Sequence, residues 1–111
     1  MDGSASNRMY QNLVVRGRCL KNKIQAGDYD FYYANSHHGM MINKKTNKVT
    51  IGTVRSPDIF YKPHFCTISG VNCIETSSAV SDSEKAKFIS FVRQSNIDLW
   101  EPYTCSGFII K

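Results

Sequence analysis

Long apolar runs are missing from this sequence, and no segment approaches the roughly 20 consecutive apolar residues that a membrane-spanning helix needs. The first seven residues, Met1-Asp2-Gly3-Ser4-Ala5-Ser6-Asn7, are polar and lack the apolar stretch of a secretory leader. They read as a disordered lead-in, with residues 8–111 forming a single globular domain. Cysteine is sparse: Cys19, Cys66, Cys73 and Cys105 are widely spaced and include no Cys-x-x-Cys pair. Without a leader, such a set is expected as free thiols in a reducing cytosol rather than as a disulfide framework. The three prolines and seven glycines are scattered, so no linker marks a second domain, and there is no internal repeat. Absent too are the Gly-x-x-x-x-Gly-Lys phosphate loop, Gly-x-Gly-x-x-Gly and Gly-x-Ser-x-Gly, along with the enzyme classes they mark. No cofactor is implied.

What is present suits a folded chain. Of 111 residues, 41% are apolar and 21% charged, within the range of globular proteins. Six Phe, six Tyr and Trp100 supply bulky core material. The net charge of +5 is unevenly placed. Residues 1–62 carry ten basic and four acidic side chains (+6), and residues 63–111 carry four basic and five acidic (−1). The asymmetry predicts one positive region on an otherwise balanced surface, suited to nucleic acid, a phosphate-bearing ligand or an acidic protein partner.

Local patterns predict an α+β fold, a mainly antiparallel meander of about four or five strands with one principal C-terminal helix. In residues 8–24, Leu13, Val15 and Cys19 alternate around Gly17 and favour a strand, although Tyr10, Leu13, Leu20 and Ile24 also share a helical face. Residues 28–33 are aromatic and strand-like. Residues 39–42 and 49–54 are β-rich arms around the polar run 43–48, which makes a hairpin. Ser56-Pro57-Asp58 breaks the sheet, and residues 65–68 suggest a further strand. Ser81 and Glu84 have capping-box spacing, and Phe88, Ile89 and Val92 follow on one helical face beside Phe91. Pro102 stops any continuation, and residues 107–110 read as a closing strand.

Arg16, Arg18, Lys21, Lys23, Lys44, Lys45 and Lys48 would line one edge of the sheet, with Tyr29, Tyr32 and Tyr33 as flat surfaces for bases. Cations hold a nucleic-acid backbone and rings stack on its bases. Asn35-Ser36-His37-His38-Gly39 places two histidines beside these lysines. A histidine there is a candidate general acid or base, with Lys44, Lys45 and Lys48 to hold a phosphate. Ser36-His37-His38 followed by a hairpin resembles the catalytic segment of HicA-type toxin ribonucleases. That resemblance implies a small double-stranded-RNA-binding-like fold with His37 or His38 catalytic. It departs from the family where Asn35 replaces the usual glycine.

His64 and Cys66 share a strand face, and Cys73 and Cys105 would complete a zinc-like set, but the spacing matches no zinc motif, so no metal is assigned. His64 with Cys66 as base and nucleophile, and Asp28 with Asp30 as a cation site, rest on spacing alone. The function expected is therefore that of a small, basic, cytoplasmic binding protein. It would engage nucleic acid or a phosphate-bearing ligand through its N-terminal half, and no membrane. The alternatives are a metal-independent ribonuclease, or an inhibitor or accessory factor docking an acidic partner by an exposed sheet edge. A short chain rich in lysine and asparagine suits a virus or mobile element.

Overall fold

Side chains alternate across a strand, and in residues 31 to 33 this sends neighbouring aromatic rings to opposite sides of the sheet. In the computed structural model, which describes residues 4–34, 37–55 and 59–96, those two sides are covered by two different helices. The elements in chain order are α1 (Ser4–Cys19), β1 (Ile24–Ala26), β2 (Tyr29–Tyr33), β3 (His38–Asn43), β4 (Lys48–Thr53), β5 (His64–Cys66), β6 (Cys73–Glu75) and α2 (Asp82–Gln94). The six strands form one sheet in sequential order, each antiparallel to its neighbour. The α+β class and the meander are as expected, with two more short strands, β1 and β6, than the local patterns single out.

The register aligns two apolar layers. Tyr32 lies opposite Met40, Met40 opposite Ile51, and Ile42 opposite Val49. These five side chains form one core with Tyr10, Leu13, Val14 and Leu20 from α1 and its flank. On the other face Phe31 and Met41 pack with Val54, Phe88 and Phe91. A sheet covered on both sides needs apolar residues at consecutive positions, which explains Met40-Met41-Ile42.

Within the segment 8–24, residues 8–19 are corrected from strand to helix, Ile24 opens β1, and the helix starts at Ser4, inside the expected lead-in. The deciding period is Tyr10, Leu13, Val14, Gly17: four positions spaced as one face of an α-helix. Gly17 stands where the Tyr32 ring meets the helix, and a Cβ built there would overlap the phenol. The Tyr32 hydroxyl donates to the Leu13 carbonyl at 2.9 Å. The residue expected to weaken a helix is its contact point with the sheet.

The capping box of α2 is complete, with Ser81 accepting from the Glu84 N–H and the Glu84 side chain reaching back to the Ser81 N–H. The buried stripe centres on Phe88 and Phe91, while Ile89 stays half-buried at its flank. In the β3–β4 turn, the Asn43 carboxamide oxygen accepts from the N–H groups of Lys45 at 2.9 Å and Thr46 at 3.2 Å. Asn47 completes the turn at φ 64°, a left-handed conformation that asparagine tolerates. The expected closing strand at residues 107–110, Pro102 and Ser56-Pro57-Asp58 lie outside the described residues.

The cysteine expectation is overturned. Cys66 and Cys73 form a disulfide between β5 and β6 with a Cα–Cα distance of 4.1 Å. Their strands are flanked by N–H to carbonyl bonds from Thr67 to Asn72 and from Thr76 to Pro63. Alternation along the ladder therefore makes Cys66–Cys73 a non-hydrogen-bonded pair, the closer of the two antiparallel pair types. Sequence spacing alone could not reveal this, because the hairpin itself brings the sulfurs together. Cys19 is disulfide-bonded as well. Among the described residues, no helix is long and apolar enough to cross a membrane.

Gly17→Ala is expected to destabilise the protein by about 1–3 kcal/mol through overpacking against Tyr32. That reverses the gain of about 1 kcal/mol that alanine normally brings inside a helix. Urea unfolding reads the sign, and a more stable variant would show that the ring and helix separate freely.

Candidate functional site

The basic residues of the N-terminal half are drawn to one corner by three segments. Asp30, buried on the α1 side of β2, has the Lys23 Nζ at 4.0 Å and the Lys44 Nζ at 3.8 Å from its carboxylate. Lys23 comes from the link before β1 and Lys44 from the β3–β4 turn. Arg18, in the last turn of α1, donates from Nη2 to the Asn47 Oδ1 at 3.5 Å, which sets the helix end against that same turn. Lys21 and Lys45 are exposed at its margins, and Arg16 is half-buried on the last turn of α1. Two ammonium groups share one carboxylate, so the corner keeps a positive surplus. That double pairing also removes Asp30 from any cation site with Asp28.

Other members of the expected surface go elsewhere. Lys48 points to the α2 side and pairs with Glu84 at 3.0 Å. Burial raises the Glu84 pKa, but bonds from Lys48 and Ser81 outweigh it and hold the carboxyl below its usual range. Tyr32 is in the core and offers no ring to a base, because its position in the alternation faces α1. The Tyr33 hydroxyl is 2.5 Å from the Ser95 Oγ, and its ring meets the edge of Phe31. Tyr29 lies beneath the Lys87 ammonium, 5.2 Å from the ring centroid, and beside Phe91. The cations converge without the aromatic platform expected from Tyr29, Tyr32 and Tyr33.

The histidines lie at the opposite end of the sheet. His38 opens β3 and Lys44 follows its last residue, Asn43, so five steps of about 3.3 Å along the strand put roughly 17 Å between His38 and Asn43 alone. The expected union of histidine and lysines around one phosphate is therefore not assembled. His38 Nε2 is instead 3.0 Å from the Tyr61 hydroxyl, and burial followed by the neighbouring His37 lowers its pKa. His37 is exposed, its ring centroid 6.5 Å from that of His38. This phenol–imidazole contact can exchange a proton, but the cations of the corner are out of its reach.

The candidate zinc set is dismantled, since Cys66 and Cys73 are oxidised to each other and present no thiolate. The same bond removes Cys66 as a nucleophile for His64. Cys105 lies outside the described residues. Among the described residues, no three histidine, cysteine or acidic side chains gather as metal ligands. His64 is a core residue whose ring stacks on Tyr10 at 3.8 Å between centroids. Its Nδ1–H donates to the Lys62 carbonyl at 3.0 Å, a carbonyl that also accepts from the Tyr10 hydroxyl at 3.0 Å. The Nε2 atom is buried without a hydrogen-bond partner.

One surface feature was missed in the sequence. Phe65 and Ile74, directly paired across β5 and β6, are exposed, as are Ile68 and Val71 in the intervening turn. The Ser69-Gly70 turn dipeptide between two apolar-containing segments is the signal for this hairpin. The chain matches no family model, no curated protein and no solved structure.

Burial lowers the His64 pKa from its usual 6.5, against opposing effects of the Lys62 carbonyl and the Glu75 charge. Below pH 6.5 the unfolded chain therefore takes up a proton that the folded chain resists. Stability is expected to fall with pH by up to about 1.4 kcal/mol per unit until the depressed folded pKa is reached. His64→Phe keeps the stack on Tyr10, leaves the Lys62 carbonyl its Tyr10 donor and removes the titration. Urea unfolding from about pH 7 to about pH 5 should show a flatter profile in this variant, and an unchanged slope would exclude His64 as its source.

Proposed function

We propose that the protein binds a phosphate-bearing polyanion, with nucleic acid as the preferred ligand, at the corner formed by Arg18, Lys21, Lys23, Lys44 and Lys45. One observation carries this reading: Lys23 and Lys44, from separate segments, meet at a single carboxylate while Arg18 is anchored on the adjoining turn. Each phosphate contact releases counterions, so binding through such a corner is electrostatic and weakens steeply with salt. With Tyr32 in the core and Tyr33 tied to Ser95, neither ring offers bases a stacking surface there. The ligand is held by its backbone, with little preference for base identity.

Less favours a ribonuclease, because His38 and the cations occupy opposite ends of the sheet. The compartment follows the cysteines. Disulfides persist in oxidising surroundings, so an oxidising address suits the Cys66–Cys73 pairing better than the cytoplasm.

Fluorescence anisotropy with single-stranded homopolymers of RNA tests the proposal. Lys44→Glu with Lys45→Glu is expected to weaken low-salt binding at least about tenfold, and loss of two phosphate contacts would flatten the log–log salt dependence by about 1.4. Absence of wild-type binding at low salt, or equal affinity of the double variant, would overturn it.

A further inference from the structure

The sheet has two edges, and they differ in charge. Lys21 and Lys23 immediately precede β1, whereas the whole stretch from 64 to 76, which holds β5, β6 and their turn, contains a single formal charge, Glu75. Natural sheets guard open edges with lysine, proline or bulges. β6, read as Cys73-Ile74-Glu75, has neither lysine nor proline.

The hydrogen-bond alternation says which groups that edge offers. Thr67 bonds Asn72 and Thr76 bonds Pro63, so Phe65 and Ile74 are the hydrogen-bonded pair between them. Cys73 and Glu75 then turn their N–H and carbonyl groups away from β5, toward the open side. No strand lies beyond β6 among the described residues. The face beside this edge is apolar: Ile74 is 70% exposed and its partner Phe65 47%. The disulfide lies on the opposite face of the same hairpin and holds the two strands in register.

From this we infer that β6 pairs with β6 of a second copy of the chain, antiparallel about a twofold axis at Ile74. The pairing follows from the residues. Centring the axis at Ile74 sets Cys73 opposite Glu75 of the second copy, so the outward-facing backbone groups meet as hydrogen-bonded pairs. The two Ile74 residues become a non-hydrogen-bonded pair, the type with Cα atoms only about 4.5 Å apart. The apolar row then runs unbroken through Phe65, Ile74 and their two symmetry equivalents. Glu75 faces a neutral disulfide instead of another carboxylate, and Lys62 remains 3.7 Å from it within its own chain. For a chain of net charge +5, a hairpin whose one formal charge is Glu75 sets no cation of one copy against a cation of the other. It uses none of the residues of the basic corner, so the pairing does not depend on the polyanion reading.

A three-residue strand and a short apolar row fall below the roughly 800 Å² per partner of standard interfaces. The dimer is therefore weak, and its mass rises with protein concentration. Sedimentation of the ligand-free chain over a wide concentration range tests this, with Ile74→Lys expected to stay monomeric at an unchanged melting temperature. Ile74→Cys supplies the geometric test. Mild oxidation should link two chains through the introduced thiols, as peptide mapping under non-reducing conditions would show. Ile59→Cys, at a position 56% exposed but outside the edge, should link far less. A wild-type chain that remains monomeric throughout would overturn the inference. So would Ile74→Cys linking no faster than Ile59→Cys.

Discussion

Adjacent aromatic residues of β2 seat both helices, and the rest of the structure depends on that division. Phe31 goes to the α2 side, stacked on Phe91 with centroids 5.4 Å apart and edge-on to Phe88 at 5.3 Å. Tyr32 goes to the α1 side, where its ring occupies the space left by Gly17 and its hydroxyl reaches the Leu13 carbonyl. A one-residue slip of β2 would exchange the two rings and present each to the wrong helix. The register from Tyr29 to Tyr33 against β3 is thereby tied to both cores at once.

Seating α1 on the sheet also shapes the charge distribution. Its last turn carries Arg16 and Arg18, well placed against the negative end of the helix dipole. The helix end comes to rest against the β3–β4 turn, beside Lys44 and Lys45. A basic helix terminus is ordinary in itself. The uncommon feature is the buried Asp30 beneath it, which draws in two lysines and leaves the corner positive. Lys48 is separated from this group because it opens β4 on the opposite face, where Glu84 of the α2 capping box binds it.

The far edge follows a different logic. β5 and β6 are short, and their inner face contributes the disulfide and His64 to the core shared with α1. Since α2 packs over Phe31, Met41 and Val54, it leaves Phe65 and Ile74 uncovered on its own side of the sheet. The cross-link constrains the unfolded chain and holds this hairpin in place despite its thin packing. Polyanion binding and self-pairing would thus use different residues.

Much of the sheet was legible because its signals are local. The aromatic run at 28–33, the apolar arms around 43–48 and the Ser81–Glu84 capping box each need only neighbouring residues to act. The helical face of Tyr10, Leu13, Val14 and Gly17 was present in the letters, but Gly17 reads as a helix weakener until Tyr32 fills its place. The cysteines and the histidines misled for a related reason. Whether Cys66 meets Cys73 depends on hairpin register, and whether His38 meets Lys44 depends on which end of a strand each occupies. The sequence by itself determined the class of fold, the meander and the excess of positive charge in the first half, since periodicity and composition act over short range. Only the tertiary structure decided which tyrosines remain outside, which lysines converge and which cysteines pair, because those outcomes depend on distances between segments remote along the chain.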